Sequence, residues 1–483
     1  MFGFFKTNNW CWWHFVCIAL ALLVSVASAF MRPAWCDEVA YIDPGAQLAL
    51  TGKMVSTAWV TNSPEALWGS SNPGMPLLFA GWFKLFGFGH MQARLLFCFL
   101  HLTGVLLVFQ WIQRECSPSP WALSLGIISS LLLPSLANAI FQCRLESVAL
   151  LLCAWFLYYA FNDNAGFFAY WVAAPLLGLV VVFFGLHFAG FFCLAAVAVY
   201  ISMPSWRILV QGLGLAIGII VGLVLLWLVY SQFGIWDTFV AARACHYGRA
   251  LEWVPVGWKR FDVTPDLPVL ACLATTGLLS SLPWARCPHV RDWIPWATAL
   301  SIFFLLPVLI SLVGVYYGNY SWMVAFPMML CFFVGAPKLT GRFKNFFIFV
   351  LSIGIIAAGL KSVKHLPEQA MEGQQRWRVV EVLKENLNKG DAVAADFQFY
   401  YILVDAGFRI YPRVKLDEGR CLGYEQESFL PQTSRQNIGC IVSRRSGSSQ
   451  ILSGLGGSWR LIAEVPVISG NPCDDDYLIY LRK

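Results

Sequence analysis

The sequence predicts a mostly α-helical integral membrane protein of about eleven transmembrane helices, with a small α/β domain at its C-terminus. Three observations predict it. Of 483 residues, 58% are apolar and only 12% charged, against roughly 45–50% and about 25% in soluble domains. Long apolar runs recur from residue 12 to about residue 362. About half of the charged residues fall at or after Lys361, so the last quarter of the chain suits water and the remainder suits lipid. These proportions exclude a soluble enzyme with one large core, a disordered scaffold and a nucleic-acid binder, whose basic residues would cluster on a folded face. The net charge of +6 needs no polyanionic partner, because polytopic proteins collect Lys and Arg on cytoplasmic loops.

At about 17 to 25 apolar residues per span, helices are expected near 12–30, 93–113, 119–137, 145–162, 168–184, 186–201, 206–231, 268–284, 294–316, 320–336 and 345–362. The first has some features of a cleaved signal peptide, namely Lys6, an apolar stretch and Ala27-Ser28-Ala29. Its full length and the interfacial cluster Trp10, Trp12 and Trp13 favour an anchor. With the N-terminus cytoplasmic, the short cytoplasmic loops hold Arg114, Arg207, Arg286, Arg291, Lys338, Arg342 and Lys344, whereas the short outer loops hold only Arg144. An odd number of spans then places the tail and the long loops 31–92 and 232–267 outside the cytoplasm, in a plasma or inner membrane. Most carboxylates that precede the tail, including Asp37, Glu38, Asp43, Glu146 and Glu252, share that outer side.

In the first loop, Pro73-Gly74-Met75-Pro76 precedes the apolar stretch Leu77 to Phe88. That stretch is too short to span and is expected to lie along or re-enter the interface. The boundary between a membrane domain, 1–364, and a soluble outer domain, 365–483, follows from the change in composition. In the tail, Trp377, Val380, Leu383 and Leu387 recur at helical spacing, and Ala392 to Ala395 reads as a strand after the Lys389-Gly390-Asp391 turn. Phe397 to Asp405 reads as helical, and stretches around Gly439–Val442, Trp459–Pro466 and Tyr477–Leu481 read as strands. Most of the fifteen cysteines sit inside apolar runs as small hydrophobes. Cys421, Cys440 and Cys473 lie in the polar tail, where one disulfide of unassigned pairing could form.

The first group that can carry chemistry is Trp35-Cys36-Asp37-Glu38-Val39-Ala40-Tyr41, directly after the first span. Adjacent carboxylates at an interface are costly unless solvated or used, and one can act as a general base towards an acceptor. The bland alternative is an acidic helix start that favours the N-terminal dipole. Further on come Gln47-Leu48-Ala49-Leu50-Thr51-Gly52, Asn72-Pro73-Gly74-Met75-Pro76, Lys84-Leu85-Phe86-Gly87 and Ala93-Arg94-Leu95. In this order the set resembles the first loop and second helix of GT-C-fold polytopic glycosyltransferases, the protein O-mannosyltransferases and the lipid A aminoarabinose transferases. Tyr41, four residues past Asp37, also matches the aminoarabinose group.

That resemblance implies a glycosyltransferase with a polyprenyl-phosphate sugar donor, surrounding membrane lipids, and an acceptor lipid, glycan or protein on the outer side, with no nucleic acid. Asp37 would be the base; Glu38 or Glu146 would orient the acceptor, or hold a divalent metal if one is used. No cofactor is otherwise required. Where the aminoarabinose transferases carry Glu-Lys-Pro-Pro, this chain has Ser71-Asn72-Pro73-Gly74. The family's phosphate-contacting lysine and acidic metal ligand are therefore missing, no zinc site is carried over, and donor phosphate contacts must come from elsewhere.

Cys143-Arg144-Leu145-Glu146 resembles the Arg-x-Asp that opens the fourth helix in these families, although a lone Glu there is often only a cap partner. Ala242-Arg243-Ala244-Cys245-His246-Tyr247-Gly248-Arg249 shares the His-x-x-Arg of the aminoarabinose group. Arg94, Arg243, His246, Arg249, Lys259 and Arg260 would suit a lipid-linked phosphate, or simply anionic headgroups. Tyr320, leading into a helix with Phe326-Pro327, is similar to a donor-site tyrosine of these transferases, and aromatics there also serve as anchors. His187, at an outer turn, reads as an interfacial residue rather than a ligand.

No P-loop, dinucleotide fingerprint, HExxH or GxSxG occurs, which fits a donor activated by a lipid phosphate. A transporter or flippase of a lipid or polar solute is the rival reading. Transport would place ionisable residues at mid-membrane depth, whereas these carboxylates crowd at one face. A third reading is a catalytically dead relative whose tail binds a partner.

Overall fold

In a computed structural model of the chain, the described residues are 11–32, 34, 36–56, 67–69, 71–116, 118–133, 136–137, 144–160, 169–202, 204–244, 322–335, 341–364, 366–412, 438–445, 452, 455, 457–466 and 476–483. Helices lie at each expected span except 268–284 and 294–316, which fall outside those residues. Among the described residues, three helices are long and apolar enough to cross a membrane: α1 (Trp12–Met31), α4 (His90–Cys116) and Trp206–Gln232. The other apolar helices are shorter, α5 (Pro120–Leu132) and Ala174–Phe184 among them. The chain is an integral membrane protein.

Two compact units make up the chain. The first comprises Met1–Ala27, Phe97–Val229 and His246–Val363. Its helices meet through small residues, since apolar lipid gives helices no hydrophobic reason to associate and close backbone packing must supply the attraction. A Cβ on Gly218 would sit 2.7 Å from the Pro175 carbonyl carbon, and one on Gly222 would sit 3.0 Å from Val182 Cβ. Trp206–Gln232 and Ala174–Phe184 thus pack almost backbone to backbone. Gly126 of α5 accommodates the edges of Phe109 and Phe333, whose ring centroids lie 5.6 Å apart. The buried ring of His101 meets the Ser130 carbonyl at 3.1 Å, which satisfies a polar group that lipid could not.

The second unit comprises Ser28–Leu96, Tyr230–Cys245 and Lys364–Lys483, so the tail shares a core with the first loop. Helix α2 (Cys36–Thr51) packs against α3 (Gly74–Phe86) at Gly45, where an added Cβ would come within 2.8 Å of Phe79 Cβ. Helix α3 buries Met75, Pro76, Phe79, Ala80 and Phe83 and leaves Leu77, Leu85 and Phe86 exposed, the two faces of a helix too short to span. Gly87 ends α3 at φ +80°, a backbone angle that favours glycine, and donates its N–H to Phe83 O at 2.9 Å. The Trp82 indole then donates to Gln92 O at 2.8 Å and ties α3 to the start of α4.

The tail forms a five-stranded sheet of β1 (Ala392–Ala395), β2 (Arg409–Pro412), β3 (Ile438–Arg444), β4 (Trp459–Val465) and β5 (Tyr477–Arg482), in the order β2-β1-β3-β5-β4. Strand β1 pairs parallel with β2 and β3, and β5 antiparallel with β3 and β4. The parallel β1–β2 step needs a crossover. The turn Phe397–Phe399 and the short helix Tyr400–Asp405 supply it. Ala392, Ala394, Tyr411, Ile438 and Ile441 form the sheet's core.

Strand β2 is an addition to the expected tail. Its residues, Arg-Ile-Tyr-Pro, open on a charge and end on a proline, a composition of strand margins rather than of a strand. The helix Leu366–Asn386 occurs as expected but with a rotated core face: Arg376, Val379, Val380 and Leu383 are buried, while Trp377 is 51% exposed. The i, i+3, i+4, i+7 stripe starts one residue earlier than the sequence suggested. Cys440 is a free thiol in β3, and burial pushes it up to about 12; Cys421 and Cys473 lie outside the described residues.

Candidate functional site

Helix α2 begins at the acidic pair. The backbone of Asp37 lies in its first turn, while the Asp37 side chain is outside the described residues. The Glu38 side chain is 0% exposed and accepts hydrogen bonds on both oxygens. Arg94 Nη2 donates to Oε2 at 2.5 Å and the Tyr401 hydroxyl donates to Oε1 at 2.6 Å. Arg94, also fully buried, donates from Nη1 to Ala29 O at 2.6 Å. A cation at the C-terminal end of α1 suits that helix's dipole. One guanidinium thereby joins the end of α1, the start of α2 and the first turns of α4.

Asp43 repeats the arrangement further along α2. Its Oδ1 accepts from the Tyr400 hydroxyl at 2.7 Å and from Gln47 Nε2 at 3.3 Å, and its Oδ2 accepts from Ser56 Oγ at 2.6 Å. Burial, reinforced by the Asp43 carboxylate, pushes the Tyr400 phenol well above its ordinary range. It stays a donor at any working pH. Phe88 lies 6.2 Å from Tyr400 and 6.0 Å from Tyr401 between ring centroids, and the His90 ring lies 4.9 Å from Tyr401. This aromatic surround keeps water from the carboxylates, which strengthens each charge-assisted bond.

Tyr41 is half-buried on α2. Arg243 sits half-buried with its guanidinium 5.5 Å above the Phe239 ring, a cation–π contact. The Phe239 ring is 5.4 Å from that of Tyr230, whose hydroxyl donates to Ser71 O at 2.7 Å. Arg243 is therefore linked through two aromatic rings to Ser71-Asn72-Pro73-Gly74, a segment without a lysine. His246, Arg249, Lys259, Arg260 and Tyr320 lie outside the described residues.

Glu146 belongs to the first unit, in the 3-10 turn Leu145–Val148. It is buried and accepts from Arg144 Nε at 3.0 Å and Nη2 at 3.3 Å, a bidentate pair. Among the described residues, no group of three or more His, Cys, Asp or Glu could hold a metal ion. Glu38 and Glu146 each have both oxygens committed to protein donors, a poor fit for a divalent cation.

The sequence singled out Glu38 and Arg94 but not Tyr401, the second donor to Glu38, nor the Asp43–Tyr400–Ser56 group. The available signals were weak: Tyr400-Tyr401 in tandem within an aromatic-rich stretch that also holds Phe397, Phe399, Phe408 and Tyr411, and a second carboxylate five residues beyond Glu38.

No family model and no curated protein matches this sequence. Its fold does have solved counterparts. The chain is similar to ArnT from Cupriavidus metallidurans bound to undecaprenyl phosphate, at 14% identity and a TM-score of 0.62, over 97% of each chain. It is also similar to the arabinofuranosyltransferase AftD from Mycobacteria, at 13% identity and a TM-score of 0.52, over 99% of this chain and 40% of that one. The likeness shows the GT-C fold.

Proposed function

We propose that the chain is a GT-C-type membrane glycosyltransferase that moves a sugar from a polyprenyl-phosphate donor to an acceptor lipid, glycan or protein on the outer side of the membrane. One observation carries the reading: an acidic pair opens α2 directly behind α1, and its second member is fixed by Arg94 and Tyr401. That division of labour assigns proton transfer to Asp37. Asp37 takes the proton of the acceptor as it attacks the anomeric carbon, and the bond from that carbon to the phosphate oxygen breaks. The leaving group is a phosphate monoester, which needs little acid assistance and is stabilised by nearby positive charge.

Glu38 and Arg94 act in this reading as a buried clamp rather than as direct contacts to acceptor and donor. The donor phosphate then falls to Arg243, His246, Arg249, Lys259 and Arg260, with Tyr41 and Tyr320 beside the donor and Glu146 bordering the acceptor. In this reading the chain crosses the membrane eleven times from a cytoplasmic N-terminus, and the tail lies outside the cytoplasm. The fold shared with a protein solved with undecaprenyl phosphate bound supports a lipid phosphate as ligand. The test is incubation of the protein in vesicles with radiolabelled undecaprenyl-phosphate sugars. Transfer of label that depends on Asp37 is expected; no release from any such donor would refute the reading.

A further inference from the structure

Tyr400 and Tyr401 are consecutive residues of the tail, and each donates to a different carboxylate of α2, Tyr400 to Asp43 at 2.7 Å and Tyr401 to Glu38 at 2.6 Å. We infer that Tyr401, with Tyr400 as its second grip, is a positioning residue that sets the rotation of the first turn of α2 and so the aim of Asp37. The inference rests on the function proposed above.

Glu38 and Asp43 are separated by about 140° around the helix and about 7.5 Å along it. A single contact would let α2 roll about its axis, whereas two contacts on different faces fix both roll and register. The helix also needs outside support, because Pro44 lies within it and cannot donate to the carbonyl four residues back. Both grips stand on the N-terminal side of Pro44, the half of the helix that carries the acidic pair: Glu38 lies in its first turn and Asp43 directly before the proline.

Arg94 and Ser56 hold the remaining oxygens, at 2.5 Å from Glu38 and 2.6 Å from Asp43. Each carboxylate is thus pinned from two directions. A roll of about 20° would carry a side-chain tip about 6 Å from the helix axis through about 2 Å, and a misplacement of about 1 Å can already cost about 100-fold in rate. Asp37 immediately precedes Glu38 and shares its turn, so the tail domain fixes the helix that presents the base. The extramembrane sheet and its crossover helix are on this account part of the catalytic apparatus.

Tyr401→Phe and Tyr400→Phe keep the rings and remove only the hydroxyls. Hydrogen exchange is measured by mass spectrometry on the full chain in lipid nanodiscs, alongside steady-state transfer from an undecaprenyl-phosphate sugar. In each variant, peptides within Cys36–Thr51 should exchange about tenfold faster while β3 and β5 keep their protection. The turnover number should fall by about tenfold or more, with the donor KM within about twofold of wild type. Unchanged exchange in α2 would overturn the inference, and so would faster exchange that includes β3 and β5, since the hydroxyls would then hold the fold at large. Faster exchange confined to α2 with unaltered turnover would overturn it as well. If wild type transfers no sugar, the glycosyltransferase reading falls, and exchange in α2 alone decides whether the tyrosines set the helix.

Discussion

Arg94 and Glu38 meet at 2.5 Å with neither side chain exposed to solvent. Burying two charges costs solvation that only a well-formed pair recovers, so removal of one partner leaves an uncompensated charge, at about 3–5 kcal/mol. Arg94→Met and Glu38→Leu are each expected to lower thermal stability sharply in detergent, read by fluorescence-detected size exclusion after heating. The double variant should regain most of the loss. Losses that simply add would mean the two residues are not energetically coupled.

A base must be ionised and within reach of the acceptor proton, whereas a helix-start residue need only accept a hydrogen bond. Asp37→Asn is therefore expected to lower transfer by at least about 100-fold, with expression, detergent stability and donor binding near wild type. Near-normal turnover in Asp37→Asn, with Glu146→Gln inactive, would move the base to Glu146. Full activity in both would favour transport of a lipid or polar solute instead.

Donor charge is assigned to the 243–260 segment rather than to buried Arg94. Arg243→Ala and Arg249→Ala should each weaken binding of undecaprenyl phosphate by about 1.5–3 kcal/mol, the worth of a charge-assisted contact. The lysine replacements should recover part of it, because a point charge cannot reproduce the guanidinium fork. Native mass spectrometry with the lipid measures both, and unchanged binding in all four variants would place the phosphate elsewhere.

Sidedness can be read without a substrate. Cysteines introduced at Gly454 and Glu252 should react with a membrane-impermeant thiol reagent from outside, and one at Lys338 should not. Burial holds the native Cys440 thiol up to about 12, so it should contribute no background at neutral pH. Labelling at Lys338 but not at Gly454 would invert the orientation and remove the tail from the acceptor side.

Among the described residues the apolar helices were legible because runs of apolar residues mark them, and β1, β3, β4 and β5 because each is a short run of β-branched, aromatic or small apolar residues between polar turns. Strand β2 was not, since Arg409–Pro412 opens on a charge and ends on a residue usually found at strand margins. Trp377 was misplaced because hydrophobicity suggested burial, while the packed stripe follows Val379, Val380 and Leu383. Within the site, Asp37, Glu38 and Arg94 stood out by local context. The tail partners of Glu38 and Asp43 could not, as Tyr400 lies 357 residues from Asp43 and Tyr401 lies 363 from Glu38. Neither composition nor periodicity carries information over such a separation, and the tyrosines sit in a stretch that reads as ordinary core.

The bonds from Tyr400 and Tyr401 to Asp43 and Glu38 also limit how such a protein can be re-engineered. A chimaera that borrows the tail of another transferase would bring foreign side chains to two carboxylates already excluded from water, and would inherit two stranded acceptors unless α2 were exchanged with it. Residues 36–56, Arg94 and 397–405 consequently have to be exchanged together, although they lie far apart along the chain.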